Sequence, residues 1–121
     1  MDKRKIGSVK EEAACAYLRN CGMNIIERNF FSRHGEIDII GIKDRYLCFV
    51  EVKYRKNTTS GFAVEAVNST KQLKICKTAQ YFLLRHRQYR DYQIRFDVIA
   101  IDGEKITYYE NAFDFIGQGA Y

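Results

Sequence analysis

The chain alternates between two periods of apolar and polar residues. Residues 8–21 (SVKEEAACAYLRNC) follow the helical one. Stepping about 100° per residue from Glu11 brings Ala14, Cys15 and Leu18 onto the same side, while Arg19 and Asn20 fall further round. Residues 24–32 (NIIERNFFS), 36–42 (EIDIIGI) and 46–54 (YLCFVEVKY) have the β-branched and aromatic content of strands, and the last two predict a hairpin turning at Lys43–Arg45. Residues 55–68 are polar at the start and carry Gly61, which predicts a loop. Residues 69–87 predict a long helix. Residues 92–101 and 105–109 predict two further strands around a turn at Asp102–Gly103. The tail, 111–121, fits no period.

This order, α-β-β-β-α-β-β, defines an α/β fold: a mixed sheet flanked by helices, with one helix crossing between the third and fourth strands. At 121 residues, without proline or a low-complexity tract, the chain predicts one domain over 1–121, with a core at about 7–110.

Polar residues interrupt the apolar hairpin. Glu36 and Asp38 share one face of their strand, and Glu51 and Lys53 share one face of theirs. In register, Asp38 meets the Glu51–Lys53 pair, leaving Val50, Val52, Ile37 and Ile39 to the opposite face. Buried carboxylates are costly and repel one another, unless positive charge lies among them. Lys53 offsets one charge and a divalent cation would offset two. Hard oxygen ligands select Mg2+ or Mn2+ over zinc.

Each of these residues also has a plainer reading. Glu51 and Lys53 suit a solvated pair on an edge strand, and Glu36 a surface position near the turn. Glu11 lies on the apolar side of the first helix, yet Ser8 three residues earlier makes S-x-x-E, a capping box. Ser69 and Gln72 make S-x-x-Q in the same way, although Gln72 shares a face with Ile75, Cys76, Ala79 and Leu83.

Net charge is +5, from 20 basic and 15 acidic residues, which favours a polyanionic partner. Four cysteines without CxxC spacing read as reduced side chains of a cytoplasmic protein, with Cys15, Cys48 and Cys76 in the core. No apolar run is long enough to span a membrane. His34 and His86 read as surface residues. Lys74, Lys77 and Arg85 read as the solvated outer face of the second helix. Phe113, Phe115 and Tyr121 suit closing the core or packing on a second copy.

The words GSVKEEAACAYL, RNFFSRHGEIDII, FVEVKYR, GFAVEAV, STKQ and RFDVIAI run in order through residues 7–101, and NAF follows at 111–113. With the αβββαβ order and E…D…E-x-K, this set resembles the PD-(D/E)XK superfamily of nucleases, which includes restriction endonucleases and Holliday junction resolvases. More narrowly it resembles the YraN family of small bacterial proteins. The resemblance implies a restriction endonuclease-like domain cutting phosphodiester bonds with Mg2+ or Mn2+. Asp38 and Glu51 become its metal-binding carboxylates and Lys53 its motif lysine. Glu11 is the acidic residue of the first helix that completes the site, binding a second metal or a metal-bound water, and Gln72 the polar residue of the second. Ile37 stands where the superfamily has proline. The Val52 carbonyl, between the two motif side chains, is a further candidate ligand. Arg33, Arg55 and Lys56, with Arg4 and Lys5, would meet backbone phosphates, DNA ahead of RNA, unless they are a solvated charge run. The small size also permits a homodimer. Three functions stay open: a nuclease for structured or branched DNA, a nucleic-acid-binding module without turnover, and a protein-interaction subunit.

Overall fold

The computed structural model describes the backbone of residues 3–55 and 67–115, and the side chains of 9–54 and 67–115. The elements are α1 (Lys3–Asn20), β1 (Asn24–Ser32), β2 (Gly35–Lys43), β3 (Tyr46–Arg55), α2 (Ser69–Arg85), β4 (Gln93–Asp102) and β5 (Lys105–Phe113), with a short 3-10 turn at Arg87–Tyr89 before β4. The strands form a single sheet in sequence order. β3 and β4 are parallel, and every other neighbouring pair is antiparallel. The predicted αβββαβ core is therefore present, and β5 extends it by an edge strand.

The two helices cover opposite faces of this sheet. Ile75, Cys76, Ala79, Phe82 and Leu83 of α2 pack on Ile40, Leu47, Phe49, Phe96 and Val98. Ala14, Cys15 and Leu18 of α1 pack with Ile39, Cys48, Val50, Ile99 and Ile101. The alternation along β3 and β4 produces the division: odd and even positions feed different layers. Each large side chain removed from water in this way contributes roughly 1.5–3 kcal/mol. Phe82 is central to the α2 layer, with edge-on contacts to Phe30 and Phe49 at 5.1 and 5.9 Å between ring centroids.

Helix ends depart from the predicted caps. α1 begins at Lys3, so Ser8 lies inside the helix, and Ser8–Glu11 is not a capping box at its start. The N-cap of α2 is Asn68, one residue before Ser69; its Oδ1 accepts from the Lys71 amide at 2.9 Å. Gln72 accordingly falls outside the capping-box position. At the other end of α1, Gly22 with φ 95° supplies the left-handed step that lets Met23 N donate to Leu18 O at 3.0 Å. His86 is not a free surface residue: it closes α2, its ring stacked on Phe82 at 4.1 Å with Nδ1 3.0 Å from the Phe82 carbonyl.

β5 continues past its predicted end. Residues 111–113 belong to the strand, and Phe113 and Phe115 pack on Phe96 at 5.1 and 5.8 Å, so both aromatic residues close the core. The predicted loop at 55–68 lies for the most part outside the described residues, as do Lys56 and Tyr121. Among the described residues, no helix is long and apolar enough to cross a membrane.

Candidate functional site

The β2–β3 ladder starts at the Lys43–Tyr46 turn and ends at Ile39–Val50. Beyond that pair the strands part, and Asp38 fills the gap: its Oδ2 accepts from the Val52 amide at 2.8 Å. A side chain thus replaces a strand partner. The local twist makes this possible. Ile39 packs in the α1 layer but Ile37 packs in the α2 layer, although residues two apart on a strand are expected to share a face. The expectation that both would face away from Asp38 therefore fails for Ile37. The strand rotates through Asp38 and turns its carboxylate toward β3. Asn29, opposite Asp38 between the Arg28–Ile39 and Phe30–Ile37 pairs, has a φ of 52°, a left-handed step that lets β1 follow the rotation.

β3 is regular here, so Glu51 and Lys53 both face α2. Glu51 is 4% exposed. Its Oε2 lies 2.9 Å from Lys71 Nζ, on the first turn of α2, and 3.8 Å from Lys53 Nζ. Removal from water, then the charge of Glu51 and a hydrogen bond with it, push the Asp38 carboxyl up to about 8. These effects favour the protonated form of Asp38 in the metal-free fold. Burial, followed by the neighbouring Lys71 charge, lowers the pKa of Lys53. Burial alone would lower Lys71 as well, but its contact with Glu51 outweighs this and leaves it above the ordinary value.

A pocket of about 260 Å³ opens at this fork. Gly35, Glu36, Asp38 and Glu51 line it from the sheet, Lys71, Lys74 and Ile75 from α2, and His34 from the β1–β2 turn. Burial, then the charges of Glu11 and Glu51, raise the pKa of Glu36. Glu11 reaches the site only through its field. Its carboxylate faces Arg28, 3.7 Å away, and is not part of the pocket lining. Gln72 is also outside the pocket; its Nε2 donates to the Val67 carbonyl at 2.8 Å and ties the chain entering α2 to the first turn. Arg55 ends β3, and its side chain, like those of Arg4 and Lys5, lies outside the described residues.

The oxygen donors fit magnesium or manganese. Among the described residues, no three His, Cys, Asp or Glu side chains converge to hold a metal ion unaided. Magnesium does not need such a set: it is commonly held by one or two carboxylates, with water and substrate phosphate completing the shell. Asp38, Glu51 and the Val52 carbonyl are donors of that kind. The two acids already demand positive charge: the pKa of Asp38 is raised, and the ammonium of Lys71 sits on Glu51.

Lys71 lies within STKQ, where the sequence alone assigns it no role. Its one-dimensional signal is weak, because its distance from Glu51 along the chain is bridged only by the fold. Arg95 and Asp97 in RFDVIAI were likewise unassigned. Asp97 is fully buried; Arg95 binds it through Nε and Nη2 at 2.9 and 3.0 Å, Tyr108 donates to it, and the Asn111 amide donates at 2.9 Å. With every partner supplied by the chain, this network ties β4 to the irregular stretch of β5 between Tyr109 and Phe113, opposite Phe96 and Val98. Burial, then the Asp97 charge, push the Cys48 thiol beside it up to about 12, which leaves it unreactive at neutral pH.

A second depression of about 580 Å³ shares His34 with the acidic pocket. Arg33, Lys77, Gln80, Tyr81 and Leu84 also line it, and among the described residues of its lining none is acidic. The turn carrying Arg33 and His34 is fastened to α2 by a 3.0 Å hydrogen bond between Ser32 and Thr78. Gly35, φ 151°, follows it, where an added Cβ would lie 3.7 Å from the Cβ of Lys74 in a backbone conformation strained for other residues. Lys71, Lys74 and Lys77 recur every three residues along the helix. Lys74 and Lys77 thus line the two depressions, whereas the sequence reading made them a merely solvated face.

Fold and site define a mixed-sheet α/β protein, covered on both faces, with a carboxylate pair and two lysines where two strands part. A family model described as "Uncharacterised protein family UPF0102" matches residues 10–101, and the chain belongs to that family, the YraN family of the sequence reading. The chain is 44% identical to a UPF0102 protein of Lachnoclostridium phytofermentans over 117 residues, covering 97% of this chain and 99% of the relative. It is 44% identical to one of Persephonella marina over 108 residues, 89% and 92% of the two chains. It is 43% identical to one of Vibrio parahaemolyticus over 112 residues, 91% and 93%.

Proposed function

We propose that this protein is a divalent-metal-dependent nuclease that hydrolyses phosphodiester bonds in structured or branched DNA. The observation that carries the reading is the meeting of Asp38 with Glu51 at the strand fork, beside Lys53. A diester resists water because its charge repels the nucleophile and its alkoxide leaves poorly. Asp38, Glu51 and the Val52 carbonyl would hold Mg2+ or Mn2+. When bound, the ion supplies a Lewis acid for the phosphate and acidifies a water. Lys53, its pKa lowered by burial, would position that water and, in its neutral form, accept its proton at Nζ as the P–O3′ bond breaks, while the departing 3′ oxygen takes a proton from solvent. The products are then a 5′-phosphate and a 3′-hydroxyl. Glu11 acts through its charge on the site. Gln72 acts by fixing the start of α2.

Arg33 and Lys77 in the adjoining depression, with Lys74 in the pocket, would hold the phosphate backbone without reading sequence. Arg55 and Lys56 would extend this contact. A homodimer would bring two sites to two strands. Cys15, Cys48 and Cys76, buried in the core, fit a reducing compartment, the cytoplasm.

The test is incubation with plasmid, linear and branched DNA in Mg2+ or Mn2+. Cleavage of branched DNA that Asp38→Ala and Lys53→Ala each abolish supports the reading. Cleavage that survives both substitutions overturns this site. A second reading, a nucleic-acid-binding module without turnover, is favoured by the Lys71 ammonium on Glu51. It predicts salt-sensitive DNA binding with no Mn2+ uptake in a calorimetric titration.

A further inference from the structure

We propose that Lys71 is a tethered counter-ion that occupies the cation position of Glu51 in the metal-free protein and yields it when a divalent ion binds. The inference rests on the metal-centre reading above and assigns a role to a lysine outside the E-x-K motif.

Lys71, not the motif lysine, makes the close contact. Its Nζ is 2.9 Å from Glu51 Oε2, against 3.8 Å for Lys53 Nζ. The two partners differ in freedom. The Glu51 side chain is 5% exposed and stays within the fold; the Lys71 side chain is 41% exposed and reaches solvent at once when it lets go. Its backbone is fixed by the Asn68 cap at 2.9 Å and by the Gln72–Val67 clamp at 2.8 Å. Only the flexible stem has to move.

Charge favours the exchange. Metal binding ionises both acids, and a divalent ion then matches the two negative charges of Asp38 and Glu51 by itself. Lys71 left in place on Glu51 would add a further positive charge within a few ångströms of the ion. Its departure removes that charge and frees a Glu51 oxygen together. The affinity observed is then reduced by the fraction of time the site is blocked. An ammonium seated nine-tenths of the time weakens binding about tenfold.

The experiment is calorimetric titration of the full-length protein with Mn2+, before and after Lys71→Met, with Lys71→Gln as a second variant. Lys74→Met is the control: Lys74 lines the same pocket, while the ion pairs of Glu51 among the described residues are with Lys53 and Lys71. Tighter Mn2+ binding by about tenfold in both Lys71 variants, with a change under about threefold in Lys74→Met, supports the proposal. The unfolding midpoint of Lys71→Met should fall below the parent without metal and recover in saturating Mn2+. Unchanged or weaker binding in the Lys71 variants overturns the proposal while leaving the metal centre intact. Equal tightening in Lys74→Met also overturns it, since the effect is then a general one of charge. If neither the parent nor any variant takes up Mn2+, the metal centre and this role fall together.

Discussion

The carboxylate of Asp38 accepts the Val52 amide proton at 2.8 Å, across the gap where β2 and β3 stop pairing. One residue therefore has two tasks: it satisfies a backbone donor left by the fork, and it faces Glu51. The tasks can be separated by substitution. Asp38→Asn keeps an oxygen for the amide and removes the acid. It should abolish metal binding and cleavage with little loss of stability. Asp38→Ala also strands the amide and should cost about 1–3 kcal/mol more. Urea unfolding of the two variants in chelator checks the split; equal stabilities would remove the structural task.

The raised pKa of Asp38 fixes the direction of a pH effect. Its folded value of about 8 lies above the ordinary 3.8, so the metal-free fold binds the proton more tightly than the unfolded chain. The contribution is fully present below about pH 4 and is lost as pH rises through about 8. Chelated protein should lose stability over that window relative to Asp38→Asn. A flat difference between the two, measured by urea unfolding at several pH values, would show Asp38 ionised throughout.

Arg95 and Asp97 should behave as a structural pair. Removing one partner leaves a buried charge uncompensated, at a cost of roughly 3–5 kcal/mol, a large part of a small domain's stability. Arg95→Ala and Asp97→Ala should each lower the thermal midpoint strongly. The double variant should cost much less than the sum of the two. Additive losses would mean that the contact contributes little.

Arg33→Ala and Lys77→Ala should weaken DNA binding without changing Mn2+ affinity. Each lost phosphate contact should reduce the slope of log affinity against log salt by about one. Unchanged slopes in fluorescence anisotropy titrations would exclude this depression as the phosphate path.

Asn68→Ala should cost about 1 kcal/mol as a lost helix cap. It also loosens the turn that carries Lys71, so Mn2+ binding should tighten modestly, in the same direction as Lys71→Met. Weaker Mn2+ binding would contradict the placing of Lys71 by this cap.

Some of this was legible along the chain, because it depends on local period. Alternation located the strands, and the apolar stripe of 69–87 located α2 with Ile75, Cys76, Ala79 and Leu83 facing inward. The carboxylates at 38 and 51 were legible as misfits among apolar neighbours. Caps were less so: Asn68 and Ser69 are both good capping residues, and only the bond from the Lys71 amide chooses between them.

What sequence alone determined was therefore the elements, their order, and the presence of acids too costly to bury without positive charge. Tertiary structure decided which charge answers them. Lys71 lies 20 residues beyond Glu51 in the chain and reaches it only because α2 crosses the sheet on that face. Glu11 and Gln72 suited the site equally well by period, yet Arg28 engages one and the Val67 carbonyl the other. The rotation of β2 at Asp38, which places Ile37 and Ile39 in different layers, likewise follows from where two strands cease to pair. Period fixes the direction of a side chain within its own element; distance to a partner depends on how whole elements pack, and no local pattern encodes that.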